Sequence, residues 1–577
     1  MQATWHLGER NPEAEERLVR EVLVSPLLAA LLQQRGFSDP TAARAFLQPR
    51  LATVEDPACL KDLPKGAARL AAAIRSKELV VVYGDYDVDG MSGTVILLNF
   101  IRQAGGRAEC YIPNRLKEGY SFNDGALDTI LNGAERPGVV ITVDHGTSAV
   151  AGIARLADAG VDVIVTDHHH PPAELPQRAY ALINPRQTDC PSKAKDLCGA
   201  GVAFKLAWGT AVALHGTAKV SDELRAFLVE ATAMVAIASI TDVVPLTGEN
   251  RVLCRHGLGA LGKVTMPGLD ALMRLSKLEG KPVQAVHVGF RLGPRLNAAG
   301  RLGIAEKAVE LLSTRDQHRA AELAAELDAA NEKRRALERE MLAEVLALRE
   351  LQDFPGDRGI CIGAKNWHPG VIGIVAARLA ERHQVPAMVV ALNGADGRGS
   401  ARSRTGVNLA QLMQELLPFV VSGGGHAGAA GCTVTEEQFP AFKSAFEEVS
   451  ARLLREAPAP VQSADVLTSF SALGPRLVEE LEQLAPHGAG NPIARFVTQR
   501  CKVIGAPRRV GRDRSTLQFQ VREGEVAQRC VGFGMGDRLP ELIDLPEIDL
   551  LYELSFDDYR GAGNIQLQIV DFRRSGA

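Results

Sequence analysis

Several patterns that define protein classes are missing from the sequence. The nine cysteines are scattered and none forms a Cys-x-x-Cys pair, which argues against a disulfide framework or a zinc ribbon. No apolar stretch approaches the ~18 to 20 residues that a membrane helix needs, and the first residues lack the basic-then-apolar pattern of a signal peptide. We therefore expect a cytoplasmic protein without membrane contact.

The sequence also lacks a large excess of one charge sign, and it contains few aromatic residues. The 65 Lys and Arg residues against 69 Asp and Glu residues leave a net charge of −4, so the surface as a whole does not attract nucleic acid. Aromatic residues make up 5% of the chain, and extensive base stacking is therefore not expected. Any site for a polyanion must be local.

One basic stretch could supply such a site. Between positions 495 and 514 the single acidic residue is Asp513. The basic residues of this stretch are Arg495, Arg500, Lys502, Arg508, Arg509, Arg512 and Arg514. A solvated surface is the alternative interpretation, because runs of charge are commonly exposed to water.

Apolar runs that end in aspartate dominate the first third of the chain. Residues 79–85, 139–144 and 161–167 have this pattern, and helical stretches at 93–105 and 147–160 separate them. Buried parallel strands alternating with helices form a doubly wound α/β sheet. Ligands of such sheets bind beyond the carboxyl ends of the strands, where all three aspartates stand.

The rest of the chain suggests three further blocks. Residues 305–351 are rich in Ala, Glu, Leu and Arg and predict one or two long helices, which could be a packed arm or a rigid strut that sets the width of a cleft. A second α/β block follows, and a Pro-rich linker leads to short alternating strands typical of a small β-barrel. The expected limits are 1–65 for an N-terminal helical cap, 66–304, 305–352, 353–456 and 461–577.

Carboxylates are clustered after the first apolar run. Asp85, Asp87 and Asp89 stand at alternate positions before Gly90, and their mutual repulsion at a strand end is costly unless cations compensate it. Divalent ions with oxygen ligands are the usual compensation. An acidic surface loop and a calcium loop are the alternatives.

Histidines join the carboxylates after the next two runs. The sequence is Asp-His-Gly at 144–146 and Asp-His-His-His at 167–170, and mixed carboxylate and imidazole ligands suit manganese or another transition ion better than calcium. Asp242 follows a further apolar segment. Two ions about 3.5 to 4 Å apart need a bridging carboxylate with ligands on both flanks, and this set of residues allows such an arrangement.

These motifs look like those of the DHH phosphoesterase superfamily, at 85–90, 144–146, 166–169 and 241–246. Residues 293–302 narrow the match, and they closely resemble the RecJ single-stranded-DNA-specific exonucleases. The glycine-rich segments within 367–431 resemble the DHH-associated domain, and the last block, including 488–492, is similar to the family's OB-fold. Two departures are visible, since His145 stands where the family favours Asn or Cys and His170 extends the usual histidine pair.

The resemblance implies a fold and a metal site. The fold is α/β, with a doubly wound parallel-sheet DHH domain joined by a long helix to a smaller α/β DHH-associated domain and a C-terminal OB-fold barrel. The cofactors would be two divalent cations, Mn²⁺ or Mg²⁺. Asp87 and Asp144 would hold one cation, and Asp144, the bridge, would hold the other together with Asp89, His168 and Asp242.

Other residues of the same motifs receive roles from the resemblance. Asp85 would be a further ligand or a neighbour of one, and His169 would contact the scissile phosphate. Asp144, His168 and His169 would thus be the catalytic residues. Asp167 would orient a ligating imidazole or cap the backbone that follows it, and His145 could compete for metal.

Glycine and arginine predict the phosphate contacts. The run 423–426 lets backbone N–H groups approach an anion, because glycine has no side chain in the way, and arginine offers a planar fork for phosphate oxygens. Structural ion pairs are the alternative for the arginines. The predicted substrate-binding residues are Arg115, Arg295, Asn297, Arg301, Ser400, Arg402, Gly424, Gly425 and His426, and the predicted nucleic-acid track consists of Arg508, Arg509, Arg512 and Arg514.

The resemblance also implies an activity. This would be processive 5′→3′ digestion of single-stranded DNA by two-metal-ion hydrolysis, releasing nucleoside 5′-monophosphates in DNA repair and recombination. The alternatives are a small-substrate DHH phosphodiesterase for nanoRNA or cyclic dinucleotides, and a non-catalytic nucleic-acid-binding scaffold. We expect a monomer with single-stranded DNA as its partner, and the resemblance allows a helicase and a single-strand-binding protein.

Overall fold

The structure is a computed structural model, and it describes residues 4–115, 122–216, 220–348, 351, 354–393, 396–457, 461–545, 547–557 and 563–576. Most of the expected Pro-rich linker, residues 458–460, lies outside the described residues. The chain divides into two compact units. One is Val54–Pro458, and the other combines Met1–Thr53 with Ala459–Ala577.

Three short helices follow the first strand, and each begins with a proline. Asn11, Ser25 and Asp39 precede these prolines, and their side chains accept N–H groups of the first turn at 3.1, 3.3 and 2.9 Å. A capping side chain followed by proline is a strong start signal for a helix. The elements are β1 (Thr4–Leu7), α1 (Pro12–Val22), α2 (Pro26–Gln34) and α3 (Pro40–Leu47).

A five-stranded parallel sheet forms the centre of the DHH block. Its elements are α4 (Leu63–Ser76), β2 (Leu79–Gly84), α5 (Val88–Gln103), β3 (Arg107–Tyr111), α6 (Asp124–Leu131), β4 (Val139–Val143), α7 (Val150–Asp158), β5 (Asp162–Thr166) and β6 (Ala181–Ile183). The strand order is β3-β2-β4-β5-β6. The winding therefore reverses between β2 and β4, at the point where such sheets bind ligands.

Helices cover both faces of this sheet, which confirms the doubly wound prediction. On one face, Tyr83 and Val140 share a hydrophobic core with α6 and α7. On the other face, α5 packs so closely that a Cβ on Gly93 would lie 2.5 Å from Val143. The predicted strands β2, β4 and β5 are present, and the sheet also includes β3 and β6 at its edges.

A helical segment completes the DHH block and leads to the long helix. Its elements are α8 (Gly199–His215), α9 (Asp222–Thr241), α10 (Gly248–Leu261), α11 (Pro267–Leu275), α12 (Ala285–His287), a π-helical turn (Val288–Leu292), α13 (Gly293–Arg301), α14 (Ala305–Ser313) and α15 (Gln317–Leu346). Helix α9 has 20 residues and a mean hydropathy of 1.6 over its apolar window. This corrects the expectation that no apolar stretch approaches membrane-spanning length, although 61% of the window is buried inside the protein, as in a core helix.

The DHH-associated block is a mixed sheet with helices. Its elements are β7 (Ile360–Ala364), α16 (Ile372–His383), β8 (Ala387–Ala391), β9 (Asp396–Arg402), α17 (Leu409–Leu416), β10 (Ser422–His426), β11 (Ala429–Thr435) and α18 (Phe439–Glu456). The strand order is β10-β11-β9-β8-β7, and β7–β8 is its parallel pair. The glycine run 423–426 is an exposed edge strand.

The last block closes into a barrel, as predicted. Its elements are β12 (Val461–Ala464), β13 (Val466–Leu467), α19 (Pro475–Glu482), β14 (Arg495–Val510), β15 (Thr516–Glu523), β16 (Val526–Gly532), α20 (Leu539–Ile543), β17 (Ile548–Phe556) and β18 (Ile565–Arg574). The strands run β14-β15-β16-β18-β17, and β17 pairs with β14 to close the ring.

The two ends of the chain share one hydrophobic core. Leu18 and Leu28 of the N-terminal helices pack in the same cluster as Phe470, Phe496 and Tyr552 of the barrel block. Strand β1 also pairs in parallel with β12. The N-terminal helices therefore belong to the barrel unit, which the sequence did not suggest.

Gly300 on α13 allows a close approach between that helix and the carboxylate loop. A Cβ at this position would lie 2.1 Å from the carbonyl oxygen of Tyr86, and Tyr86 stands between Asp85 and Asp87. Only a residue without a side chain permits this packing.

We expect Gly300→Ala to lower the free energy of unfolding by about 1 to 3 kcal/mol, because the added methyl group overpacks a rigid backbone contact. Denaturant unfolding measures the change. Gly259→Ala on α10 is the matched control, since no heavy atom lies within 4 Å of its Cβ position, and alanine should stabilise that helix slightly. Equal effects of both substitutions would contradict the assignment.

Candidate metal centre

The first carboxylates stand at the tight turn from β2 into α5. A Cβ on Gly90 would lie 2.6 Å from the backbone nitrogen of Asp85, so glycine is required for the helix to begin this close to the strand end. Asp87 caps α5, because its Oδ1 accepts N–H groups from Asp89 at 2.9 Å and Gly90 at 3.0 Å. Burial and the charge of Asp87 raise the pKa of Asp85 to about 8.

Asp89 is held by the N-terminus of a second helix. Its two carboxylate oxygens accept the N–H groups of Gly199 and Ala200, both at 2.7 Å, at the start of α8. The helix dipole favours a negative charge there. Burial and the neighbouring Asp87 nevertheless raise the pKa of Asp89 to about 7.

Asp144 follows β4 in a left-handed conformation, with φ of 66°. Aspartate tolerates this region better than most residues, and its N–H donates to the carbonyl of Thr166 at 2.9 Å. Burial, and then the charge of Asp89, raise its pKa well above the usual range. Within the described residues its Oδ1 has no hydrogen-bond partner.

His168 lies between three of these carboxylates. Its Nε2 is 3.0 Å from Asp144 Oδ1, 3.6 Å from Asp89 Oδ2 and 3.7 Å from Oδ2 of Asp242, which caps the end of α9. Burial and the nearby His169 lower the pKa of His168 to about 3, so the ring is neutral and the short distances are not ion pairs. Burial and the charge of Asp89 raise the pKa of Asp242 to about 8.

His169 is paired with Asp167, a buried aspartate whose two carboxylate oxygens both accept hydrogen bonds. Asp167 Oδ1 lies 2.8 Å from His169 Nδ1 and accepts the N–H groups of His168 and His169, while its Oδ2 accepts the N–H of Thr147. Although burial raises the pKa of Asp167, the bonds from His169 and Thr147 keep it well below its usual range. Burial lowers the pKa of His169, but Asp167 outweighs this effect and raises it to about 8.

The two unusual histidines occupy different environments. His145 Nε2 lies 3.0 Å from the carbonyl of Tyr83, and its ring packs edge-on against Tyr83 and Phe122. Burial lowers the pKa of His145 to about 4, so it is a neutral core side chain and does not belong to the ligand groups. His170 is exposed.

Within the described residues, ligand atoms that lie within 4.8 Å of one another form three overlapping groups. The groups are Asp85, Asp87 and Asp144; Asp89, His168 and Asp242; and Asp144, His168 and His169. Carboxylate oxygens with one or two imidazoles suit Mn²⁺ and similar ions. The raised pKa values and the unpaired Oδ1 atoms of Asp85 and Asp144 are what a bound cation would relieve, so the residues fit a two-cation centre.

Known domain families match three parts of the chain, in the order of the three blocks. The DHH family, N-terminal domain, matches residues 79–235, the DHHA1 domain matches 357–452 and the RecJ OB domain matches 464–571. The Bacillus subtilis (strain 168) protein named single-stranded-DNA-specific exonuclease RecJ is 34% identical over 571 residues, which cover 98% of this chain and 70% of that protein.

The chain belongs to the RecJ family. The crystal structure of RecJ in complex with Mn²⁺ from Thermus thermophilus is similar, with a TM-score of 0.83 and 31% identity over 100% of this chain and 80% of that one. The structure of the same enzyme in complex with Mg²⁺ has a TM-score of 0.77 and 30% identity, over 100% and 79% of the two chains.

Two residues near the metal centre of this RecJ family member were not predicted from the sequence. Asn184 follows β6, and its Nδ2 donates to Thr147 Oγ1 at 3.0 Å and to the carbonyl of His169 at 2.9 Å. Arg186 contributes, after burial and His169, to the lowered pKa of His168, and it partly opposes the effect of burial that raises the pKa of Asp242. The signal was weak, because β6 has only three residues.

Arginines from both α/β blocks meet beside the carboxylates. Arg115 lies over the Tyr86 ring at 4.9 Å, and Arg301 donates to the carbonyl of Gly370 at 3.0 Å. Burial, and then the charges of Arg115, Arg334 and Arg402, lower the pKa of Arg301 to about 10. Arg334 of α15 was not predicted. Such a concentration of positive charge favours a bound anion.

Strand register brings Ser400 and Arg402 onto one sheet face with the glycine-rich edge. Arg402 is in register with Ala429, which is in register with His426. Ser400, Gly431 and Gly424 form the adjacent row. The intervening residues are small, so this face is open between the arginine and the histidine.

Three of the predicted substrate residues have other surroundings. Gly425 alternates to the opposite face, where a Cβ would lie 2.4 Å from the carbonyl of Ala429. Arg295 pairs with Asp328 of α15 at 2.9 Å, which is the structural ion pair considered as its alternative. Asn297 is half-buried on α13.

The predicted nucleic-acid track lies at the end of β14 and in the following turn. Arg508 is exposed and donates to Gln518 Oε1 at 2.8 Å, while Arg509 Nη1 lies 3.6 Å from Asp537. Arg512 and Arg514 are exposed. Three aromatic residues of the barrel block could stack on bases. Phe519 is buried and Phe533 is 62% exposed, whereas Tyr559 lies outside the described residues.

Replacing Asp144 and Asp167 by asparagine, one at a time, should change the free energy of unfolding in opposite directions. Asp144→Asn keeps a residue that tolerates the left-handed backbone and removes a repelled charge, so we expect metal-free protein to gain about 1 to 3 kcal/mol of unfolding free energy. Asp167→Asn removes a charge that several donors satisfy and should cost about 2 to 4 kcal/mol.

Thermal unfolding in EDTA and in Mn²⁺ checks both expectations. Asp144→Asn should also abolish the stabilisation by Mn²⁺, because it removes the carboxylate shared by two ligand groups. A loss of stability in EDTA for Asp144→Asn would contradict the electrostatic account.

Proposed function

We propose that the protein is a metal-dependent exonuclease that digests single-stranded DNA in the 5′→3′ direction and releases nucleoside 5′-monophosphates. The observation that carries this proposal is the pair of carboxylate-rich ligand groups around Asp144 and His168, adjacent to a cluster of arginines. Cation ligands and an anion site side by side suit the hydrolysis of a phosphodiester. The name of the relatives, single-stranded-DNA-specific exonuclease, supplies the substrate.

The metal roles follow the ligand groups. Asp87 and Asp144 would hold one Mn²⁺ or Mg²⁺, with Asp85 beside them, and Asp144 would share the second with Asp89, His168 and Asp242. When bound, the cations would supply a nucleophilic water at neutral pH and neutralise charge on the phosphoryl group.

His169 is suited to contact the scissile phosphate. Its pKa of about 8 makes it a cation near neutral pH, and Asp167 fixes its ring through Nδ1. The other ring nitrogen can then donate to a phosphoryl oxygen, where charge develops during hydrolysis. Arg115 and Arg301 would bind neighbouring phosphates.

Ser400 and Arg402 would bind the 5′-terminal phosphate. A Cβ on Gly373, in the first turn of α16, would lie 2.9 Å from Ser400 Oγ and 3.0 Å from Arg402 Nη2. A hydroxyl, a guanidinium and a helix N-terminus therefore converge, and this combination binds phosphate. Recognition of a terminal phosphate beside the cations would give 5′→3′ polarity and mononucleotide products.

The remaining functional assignments are proposals of the same kind. We assign the protein to DNA repair and recombination in the cytoplasm, as a monomer that works with a helicase and a single-strand-binding protein. We keep the domain limits proposed above except the one between residues 65 and 66, which falls inside α4, whereas the N-terminal segment of the barrel unit ends at Thr53. Arg512 and Arg514 would contact DNA phosphates together with Arg508 and Arg509. A phosphodiesterase for dinucleotides would not need this barrel and its exposed arginines.

Product analysis on long single strands labelled at either end tests the proposal. With Mn²⁺ or Mg²⁺, a 5′ label should appear at once as mononucleotide, and a 3′ label should remain in shortening strands. Blunt duplex should be a poor substrate. Mononucleotides released first from the 3′ end, or turnover confined to dinucleotides, would contradict the proposal.

Arg402→Ala should slow initiation on a 5′-phosphorylated strand more than on a 5′-hydroxyl strand, because the lost guanidinium would have paired with the terminal phosphate. We expect roughly a tenfold difference between the two ends, as for one charge-assisted hydrogen bond. Initial rates on the two strands measure it. Arg398→Ala on the same strand is the matched control and should not distinguish the ends; equal slowing by Arg402→Ala would place that residue elsewhere on the DNA path.

Arg508→Ala combined with Arg509→Ala should weaken single-strand binding and lower the salt slope by roughly 0.7 for each lost phosphate contact. Affinities measured over a range of salt concentrations give the slope. Cleavage of a very short oligonucleotide should hardly change. Arg476→Ala, which removes a side chain that is 92% exposed on α19, is the control, and an unchanged slope in the double variant would identify a solvated surface.

A further inference from the structure

The unit Val54–Pro458, which we call the catalytic unit, has a cavity whose lining includes none of the candidate metal ligands. Its volume is about 780 Å³, within the range of small-molecule sites. Helices α5 and α9, the connection from α10 to α11 and the end of α14 form its walls. Because Asp89 lies in the first turn of α5 and Asp242 caps α9, the cavity is bounded by the two helices that carry these carboxylates.

The cavity walls are apolar and contain one amide. The apolar lining includes Val95, Phe227 and Met266, and Val229 is 46% exposed. Asn99 also lines the cavity, and its side chain is only 8% exposed. Within the described residues it makes no hydrogen bond, although an amide offers two donors and one acceptor. The amide faces the cavity with hydrogen-bonding capacity that no protein group uses, and a ligand with a complementary polar edge can take up this capacity.

Three basic side chains stand on the cavity rim. Arg225, Lys263 and Arg315 line it, and none has an ion-pair partner within the described part of the chain. Unpaired arginine and lysine at one opening favour an anionic group, and phosphate suits both side chains.

The acidic residues of the rim are largely engaged by the protein itself. Glu230 Oε1 accepts the N–H of Thr265 at 2.6 Å and its hydroxyl at 2.8 Å. Hydrogen bonds from its own backbone and from Ser221 lower the pKa of Glu223. Asp222 is the remaining carboxylate of the lining, so the three carboxylates equal the three basic side chains in number, and hydrogen bonds within the protein already engage two of these carboxylates.

We propose that this cavity binds a nucleoside monophosphate. The base would lie between the apolar walls against Phe227, its polar edge would hydrogen-bond to Asn99, and its phosphate would contact Lys263 and the two rim arginines. Asn side chains pair well with base edges, and aromatic rings stack on bases. The ligand class follows from the cavity alone, whereas its identity with the reaction product rests on the proposed function.

Equilibrium dialysis of dAMP against the full chain with Mn²⁺ tests the site. Asn99→Leu should bind one dAMP fewer per chain than the unsubstituted protein, because a side chain of similar size replaces the hydrogen-bonding amide and weakens that site roughly tenfold or more. The melting temperature should not fall, since the amide has no partner to lose. An unchanged number of bound dAMP molecules would overturn the proposal.

Arg402→Ala separates this site from the proposed catalytic site. It should leave the dAMP that depends on Asn99 in place, so that failure of the 5′-phosphate assignment and failure of the cavity assignment give different results. Loss of all dAMP binding in Arg402→Ala would overturn the cavity site.

Charge reversal at the rim tests the orientation of the ligand. Lys263→Glu should weaken binding of dAMP at least tenfold and leave binding of deoxyadenosine unchanged, because only the former carries a phosphate. Lys281→Glu, which changes an exposed lysine outside the cavity, is the matched control. Equal weakening of both ligands, or binding of an apolar dye without any binding of dAMP at the cavity, would contradict the nucleotide assignment.

Discussion

Repulsion among carboxylates buried near the carboxyl ends of the parallel strands is the main constraint on the catalytic unit, Val54–Pro458. Asp85, Asp89, Asp144 and Asp242 all have raised pKa values, and burial is the first cause in each case. A polypeptide tolerates such a cluster only where rigid elements hold it and an external cation can balance it. The switch point between β2 and β4 meets both conditions, because two parallel strands and the N-termini of α5 and α8 converge there.

Asp167 and Asp144 differ in the hydrogen bonds that their carboxylates receive. Asp167 receives hydrogen bonds from backbone and imidazole groups, whereas Oδ1 of Asp144 receives none within the described residues. Protein donors satisfy the Asp167 carboxylate, which fixes the ring of His169, whereas Oδ1 of Asp144 is available to a ligand. Asp144 and Asp167 thus differ in the donors that reach them, although both follow strands of the same sheet.

Much of the parallel sheet and of the candidate metal centre could be predicted from the sequence, because both depend on strong local sequence patterns. Apolar runs that end in aspartate predicted β2, β4 and β5, and clustered acidic residues indicated the candidate ligands that the structure brings together. Asn184 and Arg334 were missed because a three-residue strand and a regular helix give no local sign of what they approach. The glycine run forms an edge strand through a tight hairpin with β11, and the place of this hairpin in the sheet depends on the pairing of β11 with β9, about 30 residues earlier in the chain. His145 lies in the core although Asp144, its neighbour in sequence, belongs to the candidate ligand groups.

The joint core of the two chain ends has a consequence for biosynthesis. Helices α1 to α3 leave the ribosome first, but their apolar faces are covered by residues that begin about 400 positions later. At about 5 to 20 residues per second, the nascent N-terminus waits roughly 20 to 80 s for its partner. During that interval the catalytic unit can fold as a contiguous segment, while Leu28 and its neighbours stay exposed and available to chaperones.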